Sequence, residues 1–559
     1  MRNVFSILIL LHAIFGLAAK SQSLAKPSPQ QYAWQEQERI MFVHFGMATW
    51  QNREYDNFST PLNKVNPSKL NTDQWCRAAQ SWGAKQIIFV AKHVGGFCWW
   101  PTTSTEYSIK NIAWKNGDGD VFKDLAASCK KYGLALGVYI YPGDDNWGAG
   151  IGSGGKTSDP AKQEGYNKVY RQQVKEVLTR YGSMNEVWFD GSCIIDVSDL
   201  LATYAKDAVI FQGPQATIRW VGNEAGIAPY PAWNSISAAD LKTGVATAEQ
   251  SNPDADAWAP LECDVTLYNH NWFWAKENEK KRRSLDELME VYYKSAGRGA
   301  TMLLNATPDT SGLIPEGDMI RYAELGNEIK RRFSKPLLTV SDKKGATTEI
   351  MLGKPAAINH IVIMEDYKEG ERIRAYRTEG LVNGQWQKLS EGSSVGRKKI
   401  DWFANTTVSK IRLIITKSAG EPLIRSISLY KIDNTPGLTI AHANNKGWQY
   451  VDIWSPKNFS NNKATFELDL SPFITVPAQY KVRFEQVSGN DSLKVNSFEL
   501  WYDGEKTLPE FITQKGNILL INRTAQVIKE SKIILKVEGS SGTGNDSRGN
   551  ILIQAVPLE

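Results

Sequence analysis

From about residue 39 to residue 304, short apolar runs alternate with stretches of helical periodicity, and no other feature narrows the choice of fold so far. The runs cover 40–44, 86–91, 134–140, 186–190, 208–211 and 301–304, and 261–264 reads as one more. Between them, helical patterns lie near 72–79 and over 121–132, 166–181 and 284–296. Asp120 is placed to cap the second of these and Gly133 to stop it. Strands that are apolar throughout need cover on both faces, which a parallel sheet with crossover helices supplies. A segment of about 300 residues suits a single elaborated (β/α) barrel.

The whole chain has 559 residues, too many for one core. After Arg332 helical periodicity stops, and short alternating runs follow at 358–364, 373–376, 410–415 and 424–430. Their spacing suits a β-sandwich of about 100 residues. A second β-rich stretch carries runs at 465–470, 480–485, 498–502 and 551–556, with a polar loop at 539–550. The expected fold class is α/β, a TIM-like barrel over 23–335 followed by two β-sandwich-like domains, 336–434 and 435–559.

Residues 1–22 have the features of a secretory signal: Arg2, an apolar run from 4 to 17, and small residues at Ala18 and Ala19. That run is short for a bilayer span, and no cysteine follows it to carry a lipid. A periplasmic or secreted protein without a membrane anchor is the expectation. The net charge of +5 is spread without a dense basic block, so nucleic acid is not an expected partner. Five widely spaced cysteines make no disulfide framework, and six scattered histidines lack metal-ligand spacing. Neither metal nor cofactor is expected. The 19 tryptophans and 21 tyrosines supply flat, partly polar rings of the kind that stack on sugars.

Reactive side chains gather where the strand runs end. The first run ends at His44, the second at Lys92 and His93, and the fourth at Asp190-Gly191. Arg219 and Glu224 follow the fifth, and Glu262 and Asp264 lie in the run at 261–264. In a (β/α) barrel the carboxyl ends of the strands form the catalytic face. Acids without a metal site or a Ser/His pair suggest a two-carboxylate glycosidase. Such an enzyme needs one ionised carboxylate as nucleophile and one protonated carboxyl for the leaving oxygen.

These residues match a known pattern. Met41-Phe-Val-His-Phe-Gly46, Ala91-Lys-His93, Glu186-Val-Trp-Phe-Asp-Gly191 and Arg219-Trp-Val-Gly-Asn-Glu224 resemble, in order, motifs of the retaining α-L-fucosidases of glycoside hydrolase family 29. Glu262-Cys-Asp-Val265, Gly297-Arg298 and Leu303-Leu-Asn305 continue the likeness, and the motif Arg219–Glu224 resembles that of the branch preferring α1-3/4-linked fucose. The resemblance implies Asp190 as nucleophile and Glu224 as acid/base, with Glu262 in reserve. It implies a substrate pocket drawn from His44, Glu54, Tyr55, His93, Trp100, Arg219 and Trp272. The chain departs from the pattern at Val94, where the family has a second histidine, and at Tyr55, where it has tryptophan. Residues 337–432 resemble galactose-binding-like sandwiches in texture only.

The implied activity is exo-acting hydrolysis of terminal α-L-fucosyl residues from glycans by double displacement. Two alternatives remain open: the same mechanism on another α-L-glycoside, such as an α-L-galactoside, or a carbohydrate-binding protein that has lost catalysis.

Overall fold

The computed structural model describes residues 24–433 and, farther along, 449–454, 458–474, 478–488, 493–507, 512–523, 532–542 and 548–556. The signal-like stretch and the expected boundary near residue 435 lie outside the described residues.

Eight parallel strands build the first sheet: β1 (Arg39–Val43), β2 (Gln86–Lys92), β3 (Ala135–Ile140), β4 (Glu186–Trp188), β5 (Val209–Phe211), β6 (Arg219–Trp220), β9 (Leu261–Val265) and β10 (Thr301–Ala306). The intervening β7 (Ser235–Ile236) and β8 (Ala257–Trp258) form a separate antiparallel pair. Sheet order is β5-β4-β3-β2-β1-β10-β9-β6, and a parallel bridge between Phe211 and Ile218 draws the two outer strands together. The result is a nearly closed barrel. Helices α1 (Pro29–Gln37), α2 (Thr72–Ser81), α3 (Val121–Tyr132), α4 (Gln163–Arg180), α5 (Ser198–Tyr204), α6 (Ala238–Leu241), α7 (Leu285–Lys294) and α8 (Glu316–Phe333) accompany it. Asp120 caps α3 by accepting the Lys123 amide, and Gly133 ends that helix at φ +65°. Ser284 and Glu287 form a reciprocal capping box on α7.

Period-two alternation sorts the strand side chains into two layers. Met41, Val43, Ile87, Phe89, Val138, Ile140, Val187 and Phe189 pack outward into the core shared with the helices. Ile40, Phe42, Ile88, Val90, Tyr139, Trp188, Phe211 and Leu303 fill the barrel interior instead. Residues one or two steps beyond the inward set therefore reach the mouth at the carboxyl ends of the strands.

Past α8, one antiparallel sheet holds β11 (Leu338–Lys344), β12 (Thr347–Glu365), β13 (Ile373–Val382), β14 (Gln385–Gly392), β15 (Lys399–Ser418) and β16 (Leu423–Tyr430). Its long strands β12 and β15 carry register shifts after Met351 and Ile358, which let them bend around a core of Ile350, Ile361, Ile363, Ile411 and Ile427. A buried ion cluster ties this sheet to the barrel. Arg397 donates to Glu38 Oε2 at 2.7 Å, Lys398 bonds the same oxygen, and the Tyr292 hydroxyl donates to Oε1 at 2.7 Å. Burial alone would raise Glu38, but Lys398, Arg397 and Arg39 hold it well below the usual carboxylate range.

The last described strands are β17 (Gln449–Trp454), β18 (Phe459–Ser460), β19 (Lys463–Asp469), β20 (Ala478–Ser488), β21 (Lys494–Tyr502), β22 (Glu505–Lys506), β23 (Ile512–Lys515), β24 (Ile518–Arg523), β25 (Ile533–Ser540) and β26 (Arg548–Val556). They make two five-stranded sheets, β17-β26-β20-β24-β23 and β18-β19-β25-β21-β22. The sheets enclose a common apolar core that includes Phe466, Val482, Phe484, Leu535, Ile551 and Ile553. All five cysteines are free and buried in the barrel.

Candidate active site

Four inward-facing strand positions bring chemistry to the barrel mouth. His44 follows β1, Asp190 follows β4, Asp264 lies near the end of β9, and Asn305 lies near the end of β10. Each continues the inward parity of its strand, two residues beyond Phe42, Trp188, Glu262 and Leu303 respectively.

Asp190 is partly exposed and accepts the Tyr139 hydroxyl on Oδ2 at 3.0 Å. Burial raises its pKa, while that hydroxyl and the Gly191 amide pull it back. Burial, and then the Asp190 charge, push the Tyr139 phenol well above its ordinary range, so it stays a donor. Glu224 lies in the loop after β6, also partly exposed, and accepts the Trp272 indole N–H on Oε2 at 3.2 Å. The charges of Asp190 and Glu224 both act on the Tyr55 hydroxyl and on the Asp264 carboxyl. The two acids therefore share one mouth. Asp264 accepts the Trp220 indole on Oδ1 at 2.6 Å. Burial, then Glu224 and Asp190, raise it well above the ordinary carboxylate range.

Rings and amides line the rest. Tyr55 stacks on His93 (centroids 5.9 Å, 26°), His93 on Tyr139 (5.8 Å, 16°), and Tyr139 on Trp188 (5.9 Å, 27°). The column ends in the barrel interior with Trp188 flat against Phe211 at 3.5 Å. Tyr55 is 49% exposed and forms its outer end. The Asn305 amide donates to the Trp272 carbonyl at 2.8 Å, which turns its oxygen toward His44 Nδ1 at 2.7 Å. His44 thus carries its proton on Nδ1 and keeps Nε2 as an acceptor. Burial and then repulsion from His93 lower His44 to about 3, so the ring is neutral. His93 is lowered to about 4 by burial and by the Lys92 charge. A neutral imidazole stacked on Tyr139, the partner of Asp190, can accept or donate to sugar hydroxyls without competing for the acid's proton.

Other expected site residues lie elsewhere or serve a neighbour. Glu54 accepts the Asn271 amide (3.0 Å) and the Trp272 backbone N–H (2.8 Å), so it anchors the segment that carries Trp272. Arg219 is buried and donates to the carbonyls of Ala259, Thr247 and Trp233, tying together the excursion between β6 and β9. Its backbone pairs with Leu261 at the start of β9, below the mouth, and its guanidinium is spent on those carbonyls. Trp100 is fully buried in the core outside the barrel and gives its indole N–H to Glu176 at 2.8 Å. The structure does not bring it to the pocket, because a tryptophan facing α4 is covered by that helix. Glu262 is closed off from solvent one layer below Asp264. The Trp188 indole lies 2.9 Å from Glu262 Oε2 and 3.0 Å from Glu186 Oε1, and Trp34 and Gln86 donate to Glu186 Oε2 at 2.7 Å each. Burial, and then the Glu186 charge, raise Glu262 well above the carboxylate range; burial raises Glu186 to about 7. The pair braces the floor of the site through the Trp188, Trp34 and Gln86 donors. Val94 is buried among the barrel-interior residues, and its carbonyl accepts the Asp145 amide at 2.9 Å.

Tyr139 was not singled out from the sequence, although parity within 134–140 could have found it: it shares the inward face with Tyr141. Gln212, which accepts the Gly191 amide on Oε1 at 2.6 Å, carried no such signal.

An α-L-fucosidase family model matches residues 11–332. The chain is 30% identical to Alpha-L-fucosidase 1 of Arabidopsis thaliana over 488 residues, 77% of this chain and 93% of that protein. Among solved structures it resembles a putative α-L-fucosidase of Bacteroides thetaiotaomicron at 32% identity and a TM-score of 0.68, covering 73% of this chain and all of that one. A glycoside hydrolase 29 member from an unknown rumen bacterium matches 92% of this chain and 96% of its own, at 25% identity and a TM-score of 0.67. A Ruminococcus gnavus family 29 fucosidase solved with fucose matches 74% of this chain and 96% of its own, at 25% identity and a TM-score of 0.66. With the barrel, the acids at its mouth and these likenesses together, the chain belongs to the α-L-fucosidases of glycoside hydrolase family 29.

Proposed function

We propose that the protein hydrolyses terminal α-L-fucosyl residues with Asp190 as nucleophile and Glu224 as acid/base. Asp190 attacks the anomeric carbon while Glu224 gives its proton to the departing glycosidic oxygen. A fucosyl–Asp190 ester results with inverted configuration. Glu224, now ionised, takes a proton from water, and the hydroxide equivalent displaces Asp190 with a second inversion. In a retaining enzyme of this kind the two carboxyls stand about 5–5.5 Å apart across the sugar. The Tyr139 hydroxyl favours the ionised form of Asp190, and Trp272 holds Glu224 by its indole.

The observation that carries this reading is that the partners of the two acids meet on one ring: Tyr139, which bonds Asp190, and Trp272, which bonds Glu224, lie 6.1 and 4.9 Å from His44 between ring centroids. Asp190→Ala should abolish turnover of an aryl α-L-fucoside, and azide should restore it with the inverted glycosyl azide as product. Absence of rescue counts against Asp190 as nucleophile. Preference for α1-3/4 linkages belongs to this reading through the motif ending at Glu224, and secretion or periplasmic location through the signal-like stretch at 1–22. Val94 presents an apolar side chain where a second imidazole is expected, which favours tolerance at one sugar hydroxyl. Comparable turnover of an α-L-galactoside would identify that second substrate.

A further inference from the structure

The outer face of the C-terminal sandwich is turned toward the loop that carries Glu224. In β26, Ile551, Ile553 and Ala555 fill the sandwich core, so Leu552 points to the opposite face. On an isolated sandwich that face meets water, yet Leu552 is only 8% exposed. It packs instead against Ile227, itself 8% exposed, and against Ala225. Ala225 follows Glu224 directly.

The same loop is held from beneath by the barrel. Asn223 accepts the amides of Ala225 (3.1 Å) and Ile227 (3.4 Å) on Oδ1 and donates to the Ile227 carbonyl at 2.8 Å. Ala225 forms an antiparallel bridge with Val265. Gly226, at φ +70°, lies so close to Val265 and Val291 that an added Cβ would sit 2.8 Å from one and 2.9 Å from the other. The loop is therefore clamped, with the barrel below and Leu552 above.

An electrostatic influence reaches the segment that carries the partner of Glu224. Phe484 of β20 faces the core, which puts its neighbours Arg483 and Glu485 on the outer face with Leu552, and these two pair at 3.1 Å. The Glu485 carboxylate acts electrostatically on His270 and Arg283. Those residues bracket the segment whose Trp272 bonds Glu224. One sheet face thus packs on the loop that carries Glu224 and acts electrostatically on the segment that carries its partner.

Building on the fucosidase reading, we infer that Leu552 is a positioning residue for Glu224, and that the C-terminal sandwich sets proton delivery to the leaving group. A proton donor displaced by a fraction of an ångström loses part of its contribution to the transition state. The loss is confined to substrates whose leaving group needs that proton.

The test compares kcat/KM of wild type and Leu552→Ala on two substrates: an α-L-fucosyl disaccharide, whose sugar leaving group must be protonated, and α-L-fucosyl fluoride, whose leaving group needs little help. The ratio of the two values is independent of the fraction of enzyme correctly folded. We expect the disaccharide value to fall about tenfold, a part of the roughly 10²–10⁴-fold that acid/base catalysis contributes, and the fluoride value to stay within about twofold. Leu552→Met, which keeps the volume, should restore the wild-type ratio. An unchanged ratio in Leu552→Ala, whether both values fall together or neither falls, overturns the proposal. A wild-type enzyme that cleaves neither substrate refutes the fucosidase reading, and the positioning role falls with it.

Discussion

Tyr139→Phe isolates one interaction at the nucleophile. The mutation removes the hydroxyl that donates to Asp190 Oδ2 at 3.0 Å and keeps the ring that stacks on His93 and Trp188. A hydrogen bond to a charged group is worth about 1.5–3 kcal/mol. At 1.36 kcal/mol for each tenfold change in proton affinity, losing it raises the pKa of Asp190 by up to about 1–2. The sign follows from which form is bonded: the hydroxyl donates to the ionised carboxylate, so its removal favours the protonated, non-nucleophilic acid. Burial already pushes Asp190 upward, and without Tyr139 the Gly191 amide alone opposes it. The acid limb of the kcat/KM profile on an aryl α-L-fucoside should therefore move toward neutral pH by that amount. Activity well above the limb should fall much less, and the melting temperature should hold, because the ring still fills its place. An acid limb that stays where the wild type has it would refute the assignment of Tyr139 as the partner that keeps Asp190 ionised.

Two further outcomes follow from the packing. Glu186, raised to about 7 by burial, binds a proton more tightly folded than unfolded. Its contribution to stability is complete below the ordinary carboxylate pKa and is lost as pH rises through about 7. Glu186→Gln cannot titrate, so urea unfolding between pH 5 and 8 should show a shallower decline than wild type; equal slopes would rule out the raised pKa of Glu186. Trp100→Phe breaks the bond to Glu176 inside the outer core and should cost about 2–3 kcal/mol of stability. KM for the fucoside should stay within about twofold, whereas a raised KM with intact stability would return Trp100 to the pocket.

Most of the barrel is legible before any coordinates. Seven of its strands and the helices α2, α3, α4 and α7 fall where the periodicity puts them, within a few residues at the ends. Alternation fails for the two-residue β6, which is too short to show a period, and for α1, whose apolar pattern is weak. Asp190 and Glu224 are legible as acids in matching motifs at strand ends. The roles of Trp100, Arg219 and Glu54 are not, since a motif names residue types and says nothing of which way a side chain turns. Trp100 faces α4, Arg219 turns to backbone carbonyls, and Glu54 spends both oxygens on the Trp272 segment.

The sequence alone determined most of the barrel's strands and four of its helices, because strand and helix periods are local properties of ten or so neighbouring residues. It also determined which strand ends carry acids and imidazoles. Tertiary structure decided the rest: that Tyr139 bonds Asp190, that Glu262 shares its burial with Glu186, and that Leu552, 328 positions after Glu224 (552 − 224), closes over its loop. The physical reason is separation along the chain. Contacts between residues hundreds of positions apart depend on how the barrel closes and how the sandwiches dock, and no local pattern of polarity records either.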